Sequence, residues 1–239
     1  MTIARKLGMA GAGLVLGLAM LGPVSAQTLN PNSLEDQIGK ALQAPPKPPS
    51  GGLTRGLSVG GSAQPDAKTR EQQKFIDGLR TRSISIEPAG PNAGAHAPHA
   101  PAPAPIAAEE RNKIAEIASE RPKIDLEIYF DYNSSVIGPK AVPALIALGN
   151  VLSRNEFRGT VFLINGYTDG KGSAEYNQGL SQARANSVRH VLIEQYHLAP
   201  DALIAVGFGK EHLKLPDQPF ADENRRVQIV NTEVNTAGK

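Results

Sequence analysis

No cysteine and no tryptophan occur among the 239 residues. The first absence excludes disulfides, thiolate metal centres and a cysteine nucleophile, and it removes the acceptor for lipidation at a processed N-terminus. The second, with aromatic residues at only 5%, fits poorly with a surface on which nucleic-acid bases stack. A dominant charge is lacking too, since 25 basic against 23 acidic side chains give a net charge of +2. Arg5 and Lys6 are the only charged residues of the first 26, so the rest of the chain carries 23 of each sign. Phosphate binding relies on an excess of Lys and Arg, and a neutral chain argues against nucleic acid as a partner. No apolar run reaches membrane-spanning length: the stretch Leu7 to Leu21 has 15 residues, short of the roughly 20 that cross a bilayer. It follows a basic start and precedes Val24-Ser25-Ala26, the layout of a secretory signal with small residues at the cleavage position. Residues 1–26 are therefore expected to be a signal peptide, with an uncleaved anchor as the competing reading. The remainder is expected to be exported, to the periplasm or to the neighbourhood of the outer membrane.

Residues 27–121 contain 12 prolines, in clusters such as 44–49 and 96–105. Proline at that density blocks helix and sheet ladders and favours solvated polyproline II. The region reads as a largely disordered Pro/Ala-rich linker. Two short ordered segments are expected within it. One is near 70–86, where Phe75, Ile76 and Leu79 lie at helical spacing and a partner could dock; the other is near 107–120, helical by propensity. His96 and His99 are close enough in sequence to chelate, but they sit in a flexible tract without a third ligand, so no metal site is expected.

From residue 122 to 239 the pattern is that of one globular domain. Residues 124–130 alternate and are rich in strand formers, and 141–152 carry Leu145, Leu148 and Leu152 at helical spacing. A second strand spans 160–165, followed by a loop over 166–172. Ser173 is placed to cap a helix running to about Tyr196, with Leu180, Ala183, Val188, Val191 and Leu192 as its apolar stripe. Further strands are expected at 203–206 and 226–230. The fold class expected is α+β: a mixed β-sheet in the order βαβαββ with helices packed on one face.

The densest polar cluster is Gly166-Tyr167-Thr168-Asp169-Gly170-Lys171-Gly172-Ser173, followed by Tyr176-Asn177 and Leu180-Ser181-Gln182-Ala183-Arg184. Asn177, Ser181 and Arg184 share one helical stripe, which would bring Arg184 beside the Asp169 loop. One carboxylate and one guanidinium at a single cleft suit a zwitterion. Asp169 can accept from an ammonium while Arg184 holds a carboxylate through two parallel bonds. An ordinary loop with a surface ion pair, worth under about 1 kcal/mol, is the competing reading.

Four ordered motifs carry a resemblance. Gly-Tyr-Thr-Asp at 166–169, Tyr-Asn-x-x-Leu-Ser-x-x-Arg-Ala at 176–185, Gly-Phe-Gly-Lys at 207–210 and Asn-Arg-Arg-Val at 224–227 resemble the OmpA-like C-terminal domain. Phe130-Asp131-Tyr132-Asn133-Ser134 is similar to that family's opening segment. The family is the peptidoglycan-binding module of outer-membrane protein A, of peptidoglycan-associated lipoproteins and of flagellar stator proteins. The resemblance implies non-covalent binding of the diaminopimelate in the peptidoglycan stem, with Asp169 and Arg184 holding its amine and carboxylate. It places Asn133, Thr168, Asn177, Ser181, Asn224 and Arg225 at or around the ligand, while Arg226, one step along a strand from Arg225, is expected to point to the opposite face. The chain departs from those relatives in showing no barrel-like series of strands, no lipidated Cys and no clear spanning helix with an internal acid. The stretch 217–223 is also short of basic residues, which alters contacts outside the core site.

Two other functions compete. A wall-active hydrolase needs a base beside a nucleophile or two facing carboxylates, yet His190, His197 and His212 fall away from the cluster and only Asp169 is placed in the cleft. The 166–173 loop lacks the Gly-Lys-Ser/Thr ending of a phosphate-binding loop. An envelope scaffold would act chiefly through a partner on 70–86. The reading adopted is a non-catalytic wall-binding protein without metal or cofactor.

Overall fold

A computed structural model describes residues 31–43, 67–83, 106–128, 130 and 134–233. The expected signal peptide, the His96/His99 pair, Ile84, Ile86 and Asn133 lie outside the described residues. Four strands, β1 (Lys123–Leu126), β2 (Phe162–Gly166), β3 (Leu203–Gly207) and β4 (Val227–Asn231), form one sheet in the order β1-β4-β2-β3. β2 and β3 run parallel, while β4 is antiparallel to both β1 and β2. Five helices accompany them: α1 (Pro31–Leu42), α2 (Ala67–Ser83), α3 (Ala108–Glu120), α4 (Val142–Leu152) and α5 (Ala174–Tyr196). From β1 onward the order is βαβαββ, and the sheet is mixed within an α+β domain.

β2, β3 and β4 are buried on both faces, and the period of two sorts the strand side chains into two cores. Leu126, Phe162, Ile164, Leu203, Val227 and Ile229 point to one face, where Leu145, Leu148 and Leu152 of α4 and Val188 and Leu192 of α5 cover them. Leu163, Ile204, Val206 and Val230 point to the other, where Ile76 and Leu79 of α2 join Ile114 and Ile117 of α3. α4 and α5 thus take one face as expected, and the Pro/Ala-rich region supplies the cover for the second. Each Leu or Ile buried in this way contributes about 1.5–3 kcal/mol before ordering costs. Arg80 forms an ion pair with Asp201, tying α2 to the domain, and Lys68 and Arg82 pair with Glu120 and Glu110 of α3.

α1 was not among the ordered segments expected. Leu34, Ile38 and Leu42 recur every four residues, and Ile38 and Leu42 are fully buried in the core against α4. Asn231 Nδ2 donates to the Leu42 carbonyl at 2.9 Å, fixing the helix end to β4. Of the apolar residues of α2 read as a docking motif, Ile76 and Leu79 are buried inside this chain and Phe75 packs partly buried against the same cluster.

β1 is shorter than expected. The Ile128 amide donates to the Leu126 carbonyl at 3.0 Å, a three-residue turn that lifts the chain off the ladder. Phe130 makes only an isolated bridge with Ile137.

Candidate functional site

The loop between β2 and α5 is built by its caps and glycines. Ser173 Oγ accepts from the Tyr176 amide at 3.1 Å, starting α5 at the residue expected. Asn177 Nδ2 donates to the Lys171 carbonyl at 2.8 Å and closes the loop onto the helix. Asp169 Oδ1 accepts from the Lys171 amide at 3.0 Å, so one carboxylate oxygen braces its own turn. The Gly170 amide donates to the Pro219 carbonyl at 2.7 Å, which joins this loop to the 211–224 segment.

α5 comes unusually close to the sheet. A Cβ at Gly166 would lie 2.3 Å from the Ser181 carbonyl oxygen, and one at Gly207 2.5 Å from the Gln182 nitrogen. Side chains here must be short or bond to backbone, which explains the buried stripe Asn177, Ser181, Arg184, Ala185, Val188, Arg189 and Leu192. The stripe inferred from apolar residues alone is displaced: Leu180 is only half-buried and lines the cleft, while Ser181 is fully buried. Ser181 Oγ accepts from the Gly209 amide at 2.7 Å, and the Thr168 amide donates to the Gly209 carbonyl at 2.8 Å. Gly209 holds a positive φ of 57°. The Gly-Phe-Gly-Lys turn therefore serves to hold the Asp169 loop.

Arg184 is 5% exposed and lines a cleft of about 680 Å³ together with Phe130, Thr168, Asp169, Lys171, Tyr176, Phe220 and Arg225. Its Nε donates to the Ser134 carbonyl at 3.0 Å, and its guanidinium carbon lies 4.9 Å from the Phe130 ring centroid. Among the described residues Arg184 donates through Nε, and the two-nitrogen end of its fork has the geometry to hold a planar anion. Burial, and then the positive Arg225 nearby, lower its hold on the proton, while Asp169 opposes this. An arginine nevertheless stays charged, so the site carries a desolvated cation in need of an anion.

Asp169 Oδ2 accepts from Arg225 Nη1 at 3.0 Å, and Arg225 Nη2 pairs with Asp222 Oδ1 at 2.5 Å. Burial acts against the Arg225 charge, but its bonds to Asp169 and Asp222 outweigh that and raise its pKa. The Arg225 side chain is 40% exposed, so the pair is worth under about 1 kcal/mol. A second hollow of about 240 Å³ shares Phe130, Arg184 and Arg225 and adds Glu127, Asp222 and Glu223.

Asp169, Arg184, Thr168, Asn177 and Arg225 thus come together around the larger cleft. Ser181 and Asn224 do not line it. Asn224 is fully buried, with Oδ1 accepting from the Leu215 amide at 2.9 Å and Nδ2 donating to the Gln218 carbonyl at 2.8 Å, so it shapes the 211–224 loop from beneath. Arg226 turns away from Arg225: its guanidinium carbon lies 3.9 Å from the Tyr167 ring centroid and its Nε 3.4 Å from Asp125 Oδ1. Of the histidines, His197 closes α5 in a left-handed conformation and His212 stacks edge-on against Phe208. Sequence reasoning assigned no role at the site to Tyr176, Phe220 or Asp222. Phe220 carried a signal, as the one aromatic residue in a polar stretch.

Residues 129–226 match the OmpA family. The chain carries an OmpA family domain. It is 30% identical over 142 residues to outer membrane porin F of Pseudomonas aeruginosa, covering 59% of this chain and 39% of that protein. It is 31% identical over 109 residues to outer membrane protein A of Escherichia fergusonii, covering 46% and 44%. The chain thus spans about two fifths of the length of these curated relatives. Among solved structures, the peptidoglycan-associated lipoprotein of Burkholderia pseudomallei matches with 28% identity and a TM-score of 0.38, covering 48% of this chain and 92% of that one. The relatives of this OmpA family domain are outer-membrane or envelope proteins. No helix among the described residues is long and apolar enough to cross a membrane.

Proposed function

We propose that the domain binds peptidoglycan non-covalently and without catalysis, gripping the free stereocentre of diaminopimelate in a stem peptide. Asp169 accepts from its ammonium and Arg184 holds its carboxylate. The protein is exported, and the grip attaches it to the cell wall in the periplasm or at the outer membrane. The observation that carries this reading is the buried, charged Arg184 in one cleft with Asp169, its guanidinium braced by Ser134 and Phe130. Burying a cation costs free energy unless a counter-ion arrives, and a carboxylate is the anion that the planar fork fits best. The ammonium beside that carboxylate displaces Arg225 from Asp169, with Asp222 retaining Arg225 after the exchange. Thr168, Asn177, Ser181 and Asn224 hold the loops in place, and Asn133 stands next to the Ser134 that braces Arg184.

The test is co-sedimentation of residues 27–239 with purified sacculi, comparing the native chain with Asp169→Ala and Arg184→Lys. Both substitutions are expected to remove most binding, the second despite its preserved charge, because an ammonium cannot make the two-point contact. Native-level sedimentation of both variants overturns the reading.

A further inference from the structure

Two large aromatic side chains stay exposed on the rim of this cleft. Phe220 is 67% exposed and Tyr176 46% exposed, and both line the cleft that holds Asp169 and Arg184. They flank the Asp169 loop. Tyr176 stands in the first turn of α5, with its ring atom Cδ1 3.6 Å from where a Gly172 Cβ would be. Phe220 follows Pro219, whose carbonyl is fixed by the Gly170 amide at 2.7 Å. Exposed apolar surface beside converging polar groups marks a binding site rather than packing.

The charged groups account for only part of the cleft. An ammonium and a carboxylate on one carbon need a few atoms of space, whereas about 680 Å³ is in the range that encloses a ligand many times larger. In a stem peptide the far end of diaminopimelate lies in amide bonds and carries no charge. What leads away from the gripped stereocentre is a methylene chain followed by amide-linked peptide, and its apolar part gains free energy against aromatic faces.

We propose that Tyr176 and Phe220 form a rim that packs on the methylene chain and adjoining amide of the ligand, so that the cleft selects a peptide-borne diamino acid over a simple zwitterion. This inference rests on the wall-binding reading above. Calorimetric titration of residues 27–239 with a purified disaccharide-tetrapeptide containing diaminopimelate tests it. Phe220→Ala and Tyr176→Ala are each expected to weaken binding about tenfold, the loss of contact with one or two methylene groups. Phe220→Leu is expected to restore most of it, with the melting temperature unchanged in all three. Wild-type affinity in both alanine variants, with binding abolished by Asp169→Ala, overturns the rim and leaves the charge pair standing. Wild-type affinity in Asp169→Ala and Arg184→Lys overturns the underlying reading and the rim with it.

Discussion

Replacing Ile38 by Ala tests whether α1 is structurally part of the domain. Ile38 is fully buried, in a cluster with Leu148, Val151 and Leu152 of α4. Removing its branched end from a packed site costs about 2–5 kcal/mol, the transfer loss plus the cavity left behind. The upper end is limited by the docking free energy of α1, because a helix that loses more than this simply detaches. For a domain near 200 residues each kcal/mol lowers the melting temperature by about 2–4 °C, so a fall of about 4–12 °C is expected. Calorimetry or circular dichroism on residues 27–239 reads this directly, and Lys40→Ala, at an exposed position of the same helix, controls for helix propensity. A fall under about 1 °C for Ile38→Ala refutes the reasoning, since an undocked segment contributes within about 0.5 kcal/mol.

Two further outcomes are expected. Gly207→Ala places a methyl group 2.5 Å from the Gln182 nitrogen and 2.6 Å from Ser181 Oγ; pushing the α5 backbone off β3 costs about 1–3 kcal/mol or more, read as a lowered urea midpoint. Burial pushes the Tyr167 phenol from its ordinary 10.0 up to about 12. Its folded-state value lies above the unfolded one, so this contribution is intact below pH 10 and drains away between about pH 10 and 12. The shift corresponds to about 3 kcal/mol, and Tyr167→Phe should lose correspondingly less stability between pH 9 and pH 11.5 in urea titrations than the native chain.

Much of the domain is legible in the sequence because its signals are local. Ser173 marks the start of α5 by its own hydrogen bond, and the apolar run Phe162-Leu163-Ile164 of β2 follows from side chains that face two cores. The Asp169–Arg184 juxtaposition follows from helix spacing plus one loop. α1 is harder to see because the prolines around it set the composition of the whole region, although Leu34, Ile38 and Leu42 repeat at the right interval. The polar stripe of α5 is misjudged by an apolar-face rule because close approach at Gly166 and Gly207 is a tertiary demand. The ion pair of Arg225 with Asp169 spans 56 positions of sequence, and nothing local announces it.

The docking of α1 also sets how far the cleft can roam. A free tether covering residues 27–121 would reach roughly 300 Å at polyproline rise. With α1, α2 and α3 seated in the two cores of the same sheet, these helices add to the bulk of the domain and are withdrawn from the length of any such tether.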